Sequence, residues 1–198
     1  MKKQIATVIS NVVNPFLVGL GVILLTSFAS AATSRDALKW ALVAVLLTVL
    51  PIFMVVLYFF RTGRLDTFFV NIREQRTTLY LITSLCVVAG CVLLAYLDAP
   101  ITLVAALVTS IVITLIFMCI NFWWKISLHT AIIAGSATVL VILYGWNGWS
   151  GMFTVTLVPL TTWARVELKS HSFAQATTGA FLAAVIVVAV FQRFAVAA

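Results

Sequence analysis

Seven apolar runs divide the chain, and polar residues punctuate them. The runs lie at about 12–31, 38–60, 78–97, 101–122, 130–146, 150–164 and 175–195. The breaks fall at Ser34-Arg35-Asp36, along the stretch from Arg61 to Arg76, at Asp98-Ala99-Pro100, at Lys125, between Gly145 and Gly151, and from Arg165 to His171. Inside the runs apolar and polar residues do not alternate, so the period-2 pattern of a barrel strand is missing and helices are predicted. A helix also pairs every backbone donor and acceptor within itself, as hydrocarbon demands. The pattern predicts an all-α, polytopic membrane bundle of about six to seven transmembrane helices. The fifth and sixth runs are short for a crossing of about 20 residues. They are equally compatible with one bent hairpin that does not span fully.

The first run follows Lys2 and Lys3 and ends near Ala29-Ser30-Ala31, which imitates a signal peptide. It is read here as a first transmembrane helix. A single integral-membrane domain over residues 1–198 is expected, with neither internal repeats nor a soluble linker.

Composition strengthens the membrane reading. The chain is 64% hydrophobic and 9% charged, with a mean hydropathy of +1.20. A soluble domain of this size has no way to bury so much apolar surface. The net charge of +7 is spread over short connections rather than gathered on one soluble face, so nucleic acid is not an expected partner. Topology, anionic headgroups or an anionic ligand account for it better. Cys86, Cys91 and Cys119 lie inside apolar runs and read as small buried hydrophobes.

If all seven runs cross, Lys2, Lys3, Arg61, Arg64, Arg73, Arg76, Lys125, Arg165 and Lys169 share one side. Only Arg35, Lys39 and Arg193 face the other. That bias predicts a cytoplasmic first side. Trp40, Tyr80, Tyr96, Trp123, Trp124, Trp146, Trp149 and Trp163 fall near predicted helix ends, where interfacial anchors belong.

Both histidines lie on the cation-rich side, each beside fixed positive charge. Lys125 and His129 are four apart and share a face if the fifth helix begins near Lys125. Arg165, Lys169 and His171 mark the second junction, and Glu167 meets His171 if residues 167–171 are helical. Phosphate-ester cleavage asks for such an inventory. Guanidinium and ammonium groups neutralise phosphoryl oxygens. One imidazole attacks phosphorus, and a second, titrating near neutrality, protonates the leaving oxygen. The five acidic residues form no Asp-rich pair suited to Mg²⁺, so no metal or other cofactor is expected. The plainer reading is that the histidines are interfacial anchors and the cations topology signals or snorkelling chains.

Arg165, five residues, His171, three residues and Gln175 resemble S-R-x5-H-x3-D, the third signature of the type 2 phosphatidic acid phosphatase superfamily. Ser127-Leu128-His129, followed by Thr130-Ala131, resembles its second signature, P-S-G-H. Arg73-Glu74-Gln75-Arg76 sits where the first, K-x6-R-P, would be sought. Gly179 falls where relatives often place a small residue on the last helix. The likeness covers roughly 61–190, a phosphatase-like core preceded by two additional helices in 1–60. It implies that His171 is the phosphoryl-accepting nucleophile and His129 the acid. Arg165 would hold phosphate oxygens, with Arg76 and Arg73 assisting and Ser127 donating a hydrogen bond. Lys125 is added on helical spacing alone.

The chain departs from the signatures at Ile126, Leu128, Ala164, Phe69 and Thr77. Gln175 stands in the position of the Asp that orients the nucleophilic ring. A Gln carbonyl accepts a ring N–H but does not stabilise a cationic imidazole. In a serine-protease triad, neutralising the orienting Asp costs about 10⁴-fold. Two expectations follow. One is a metal-independent phosphatase of lipid or polyprenyl phosphates, working through a phosphohistidine in a bacterial or archaeal cell membrane. The other is a non-catalytic phosphatase-like subunit or phospholipid binder. Membrane lipids are expected neighbours, and a homo-oligomer or larger membrane complex is compatible. A transporter is disfavoured because nearly every charge sits at a run end rather than mid-membrane. An intramembrane prenyltransferase is disfavoured by the missing Asp-rich motifs.

Overall fold

The computed structural model describes residues 1–65 and 73–194, with the backbone alone for 73–76. Among the described residues the chain is helical throughout, without strands. The elements are α1 (Lys2–Val12), α2 (Pro15–Ser30), α3 (Ser34–Ala44), a π-helical turn (Val45–Val49), α4 (Leu50–Arg61), α5 (Arg73–Tyr96), α6 (Ile101–Asn121), α7 (Leu128–Tyr144), α8 (Trp149–Glu167) and α9 (Phe173–Arg193).

Each apolar run thus becomes a helix, and one helix lies outside the expected pattern. The amphipathic α1 precedes the first run and is bent by 41° from α2. The bend is set at Asn14, whose side chain accepts from the Leu17 N–H (3.0 Å) and donates to the Asn11 carbonyl (2.7 Å). Pro15 then occupies the first turn of α2, where a missing N–H costs nothing.

Among the described residues, four helical stretches are long and apolar enough to cross a membrane: Ser34–Arg61, Thr77–Tyr96, Ile101–Asn121 and Phe173–Arg193. Counting the bent pair α1–α2 as one span makes five. The apolar α7 has only 17 residues, or about 26 Å against a hydrocarbon core of about 30 Å. The outer surface is apolar, as lipid requires: Leu81, Leu85, Val88 and Val92 run exposed down one side of α5.

The Ser34–Arg61 span carries its π turn for a local reason. Pro51 has no N–H to give the Leu47 carbonyl, and its ring would collide with that carbonyl in a regular helix. Widening the turn before it removes the collision. Gly90 of α5 packs onto this wide turn. A Cβ there would lie 2.6 Å from Thr48 Cγ2 and 2.9 Å from the Leu47 carbonyl oxygen. A small residue lets the two backbones approach, the usual currency of helix contact in lipid.

The centre of the bundle is α7, which packs against α2, α8 and α9. Its Ala131 and Val139 join Ile113 and Phe117 of α6 and Ala183, Val187 and Phe191 of α9 in the main core.

Candidate functional site

The two histidines come from different helix junctions. His129 is the second residue of α7. His171 lies between α8 and α9, just before Ser172, which caps α9. Each is 5% exposed. Both line one cavity of about 380 Å³ formed by α2, the π turn, α4, α5, α6, α7 and the α8–α9 connection. Its wall follows α7 from Leu128 to Val139 and α6 from Leu103 to Thr114, a length of about 16 Å at 1.5 Å per residue. His129 sits at the end where α7 begins. The remaining wall is largely apolar, broken by hydroxyls.

Tertiary hydrogen bonds lock the two junctions together. The Thr130 hydroxyl donates to the Ala176 carbonyl (2.8 Å) and the Ser127 N–H to the Gln175 carbonyl (3.4 Å). Gly179 makes room for this: a Cβ there would stand 2.7 Å from the Ser127 carbonyl oxygen.

Arg165, in the last turn of α8, is 4% exposed. Its Nη1 donates to the Ser10 hydroxyl of α1 at 3.0 Å. Its carbonyl accepts from the Ser170 N–H (3.1 Å) and the His171 N–H (3.3 Å), with Lys169 in the left-handed region (φ 54°). This reversal ties Arg165 to His171 through the backbone, although Arg165 is not among the residues lining the cavity.

Three local expectations are corrected. Lys125 does not share a helical face with His129, because α7 starts at Leu128 and residues 125–127 are non-helical. The chain there is drawn toward α9, with Ile126 fully buried in the core and the Ser127 N–H engaged by Gln175. Glu167 does not stack one helical turn below His171, because α8 ends at Glu167. Gln175 turns its side chain to its own helix: Oε1 accepts from the Ser172 N–H (3.0 Å), while the Ser172 hydroxyl accepts from the Gln175 N–H (3.2 Å). This capping box uses the amide that the family pattern would aim at the nucleophilic ring.

Ser127 is fully buried at the start of α7 and makes no side-chain cap; its hydroxyl has no hydrogen-bond partner among the described residues. Arg73 and Arg76 begin α5 by backbone, but their side chains lie outside the described residues, as does the 66–72 part of the Arg61–Arg76 stretch.

Sequence reasoning missed Ser10 and Thr26, and read Tyr80 as an interfacial anchor although it is buried at 3% exposure. Tyr80 lines the cavity near the start of α5. Thr26 lines it too, fully buried, and its hydroxyl has no partner among the described residues. A lone hydroxyl inside an apolar run was the available signal. Among the described residues no three His, Cys, Asp or Glu side chains gather as metal ligands.

No family model matches the chain, and comparisons with curated proteins and with solved structures likewise return no match.

Proposed function

We propose that this chain is an integral-membrane phosphatase for an amphiphile ending in phosphate or diphosphate, such as phosphatidate or a polyprenyl phosphate. One observation carries the reading: both histidines of the chain line the same largely apolar cavity. Imidazoles at one end of an apolar slot suit a phosphate headgroup joined to a hydrocarbon tail. The likeness of the His129 and His171 segments to the type 2 phosphatidic acid phosphatases is a further support.

In this scheme His171 attacks phosphorus in line with the leaving oxygen. The N–P bond forms as the P–O bond breaks, and His129 gives the departing alcohol or phosphate its proton. His129 then takes a proton from water, whose oxygen attacks the phosphohistidine and releases inorganic phosphate. Arg165, Arg76, Arg73 and Ser127 are the proposed phosphate contacts; Lys125 loses its place with the helical spacing that suggested it. The proposed topology has six to seven crossings with the histidine end at the cytoplasmic face, as the distribution of Lys and Arg favours.

Purified protein in detergent micelles should release phosphate from long-chain phosphate esters, and vanadate should inhibit it. His171→Ala should abolish release; unchanged activity in that variant excludes the nucleophile. The tail is tested by two glycines of α2. A Cβ at either position meets nothing within 4 Å, but Gly19 lines the cavity and Gly21 does not. Gly19→Phe should cut turnover of long-chain substrates by at least about tenfold, the cost of displacing an apolar group from its pocket. Gly21→Phe should leave it intact. Equal behaviour of the two variants rules out the cavity as the tail site.

The alternative is a phosphate-lipid binder without turnover. The Gln175 cap favours it, because a neutral side chain already held by Ser172 is a poor orienter of a catalytic ring. Saturable binding of the lipid phosphate with no phosphate released selects this reading.

A further inference from the structure

The first helix presents three distinct faces. Ala6 and Ser10, four apart, are buried, and α1 packs against α8. Lys3, Gln4, Thr7 and Asn11 form an exposed polar face. Met1, Ile5, Val8 and Val12, at spacings of four, three and four, form an exposed apolar stripe; the least exposed of them, Ile5, is still 48% accessible.

Neither water nor hydrocarbon suits all three faces. Water would leave four large apolar side chains solvated along one line. A fully inserted helix would carry a polar face, including Lys3, into lipid. A helix divided in this way, with Lys2 and Lys3 at its start, fits the boundary between headgroups and acyl chains, and its cations favour anionic lipid. The bend of 41° at Asn14 turns α1 off the line of α2, and continuity with that apolar helix holds it at the membrane.

The inward face reaches the candidate site. Ser10 accepts from Arg165 Nη1 at 3.0 Å, and both residues are buried. A hydrogen bond to a charged planar fork fixes the orientation of that fork.

We propose that α1 is an interfacial strap: its outer stripe rests on the headgroup–acyl boundary of the bilayer, and its inner Ser10 positions the Arg165 guanidinium. The role of Ser10 rests on the phosphate-site reading above; the seat of α1 on the bilayer does not.

The test uses the full chain in phosphatidylcholine vesicles containing phosphatidylglycerol. Val8→Cys, in a background with Cys86, Cys91 and Cys119 replaced by Ala, carries an environment-sensitive fluorophore. Lipids spin-labelled at the headgroup, shallow or deep acyl positions quench it. Strongest quenching from the shallow position supports the strap. Strongest quenching from the deep position, or none from any lipid, overturns it. Ser10→Ala and Ser10→Thr are then compared with wild type for affinity toward inorganic phosphate. Ser10→Ala should bind about tenfold more weakly, the scale of one hydrogen bond to a charged donor, and Ser10→Thr should recover most of that. Wild-type affinity in Ser10→Ala refutes the positioning role. If wild type binds no phosphate, the phosphate site and the role of Ser10 fall together, while the quenching profile still decides the strap.

Discussion

The two histidine junctions begin helices in opposite ways. The α9 junction is locally complete: Ser172 and Gln175 exchange hydrogen bonds within one turn. The α7 junction has no side-chain cap, and the buried Ser127 instead gives its N–H to the Gln175 carbonyl while Thr130 reaches Ala176. One junction folds from its own residues, and the other is held only once α9 is in place. His129 therefore inherits its position from α9, the helix that follows His171, so the pair is a tertiary product with its reference point at α9.

The most severe way to break this dependence is at Gly179. Gly179→Ala brings a Cβ to 2.7 Å from the Ser127 carbonyl oxygen, so α7 and α9 must separate. Overpacking of this kind costs about 1–3 kcal/mol, and thermal unfolding in detergent should show it. Labelling of His129 by a histidine-directed reagent should rise in the same variant. An unshifted melting temperature would mean that the two helix starts are not tightly docked. Thr130→Val and Ser172→Ala sharpen the contrast. Thr130→Val removes the hydroxyl that α7 donates to the Ala176 carbonyl of α9, for about 1 kcal/mol. It should raise exchange at His129 amides and spare α9. Ser172→Ala loses a cap, for about 1 kcal/mol, with exchange confined to the first turn of α9. Hydrogen exchange read by mass spectrometry separates the two; matching profiles would erase the distinction between the junctions.

That distinction also explains what the sequence disclosed. The apolar runs located α2 to α9, because helices in lipid are fixed by local hydropathy. The S-x-x-Q pattern at Ser172 to Gln175 is a legible cap, although family likeness assigns Gln175 a ring-orienting role instead. The start of α7 was illegible because nothing near Ser127 encodes the Gln175 carbonyl 48 residues later in the chain. The end of α8 was hidden likewise, since Lys169 adopts a left-handed backbone without being glycine or asparagine. Helix α1 escaped notice because its apolar stripe is interleaved with Lys, Gln, Thr and Asn, so its mean hydropathy is low although its faces are sharply sorted. The cavity follows from packing between distant helices, and only its small residues, Gly19 and Gly135 among them, left a trace.

The wide turn at Val45–Val49 governs angular phase. Thr48, Ile52 and Val56 all reach the cavity although they recur every four residues, a spacing that overshoots the 3.6-residue repeat by about 40° each time. The additional residue accommodated in the π turn sets the face of α4 about 100° away from where an unbroken α-helix continuing α3 would put it. Rewinding the same residues as regular α-helix would rotate everything beyond the turn by that angle. Ile52 and Val56 would then swing away from the slot, so the irregularity aims α4, the half of the span that lines the cavity, at its target.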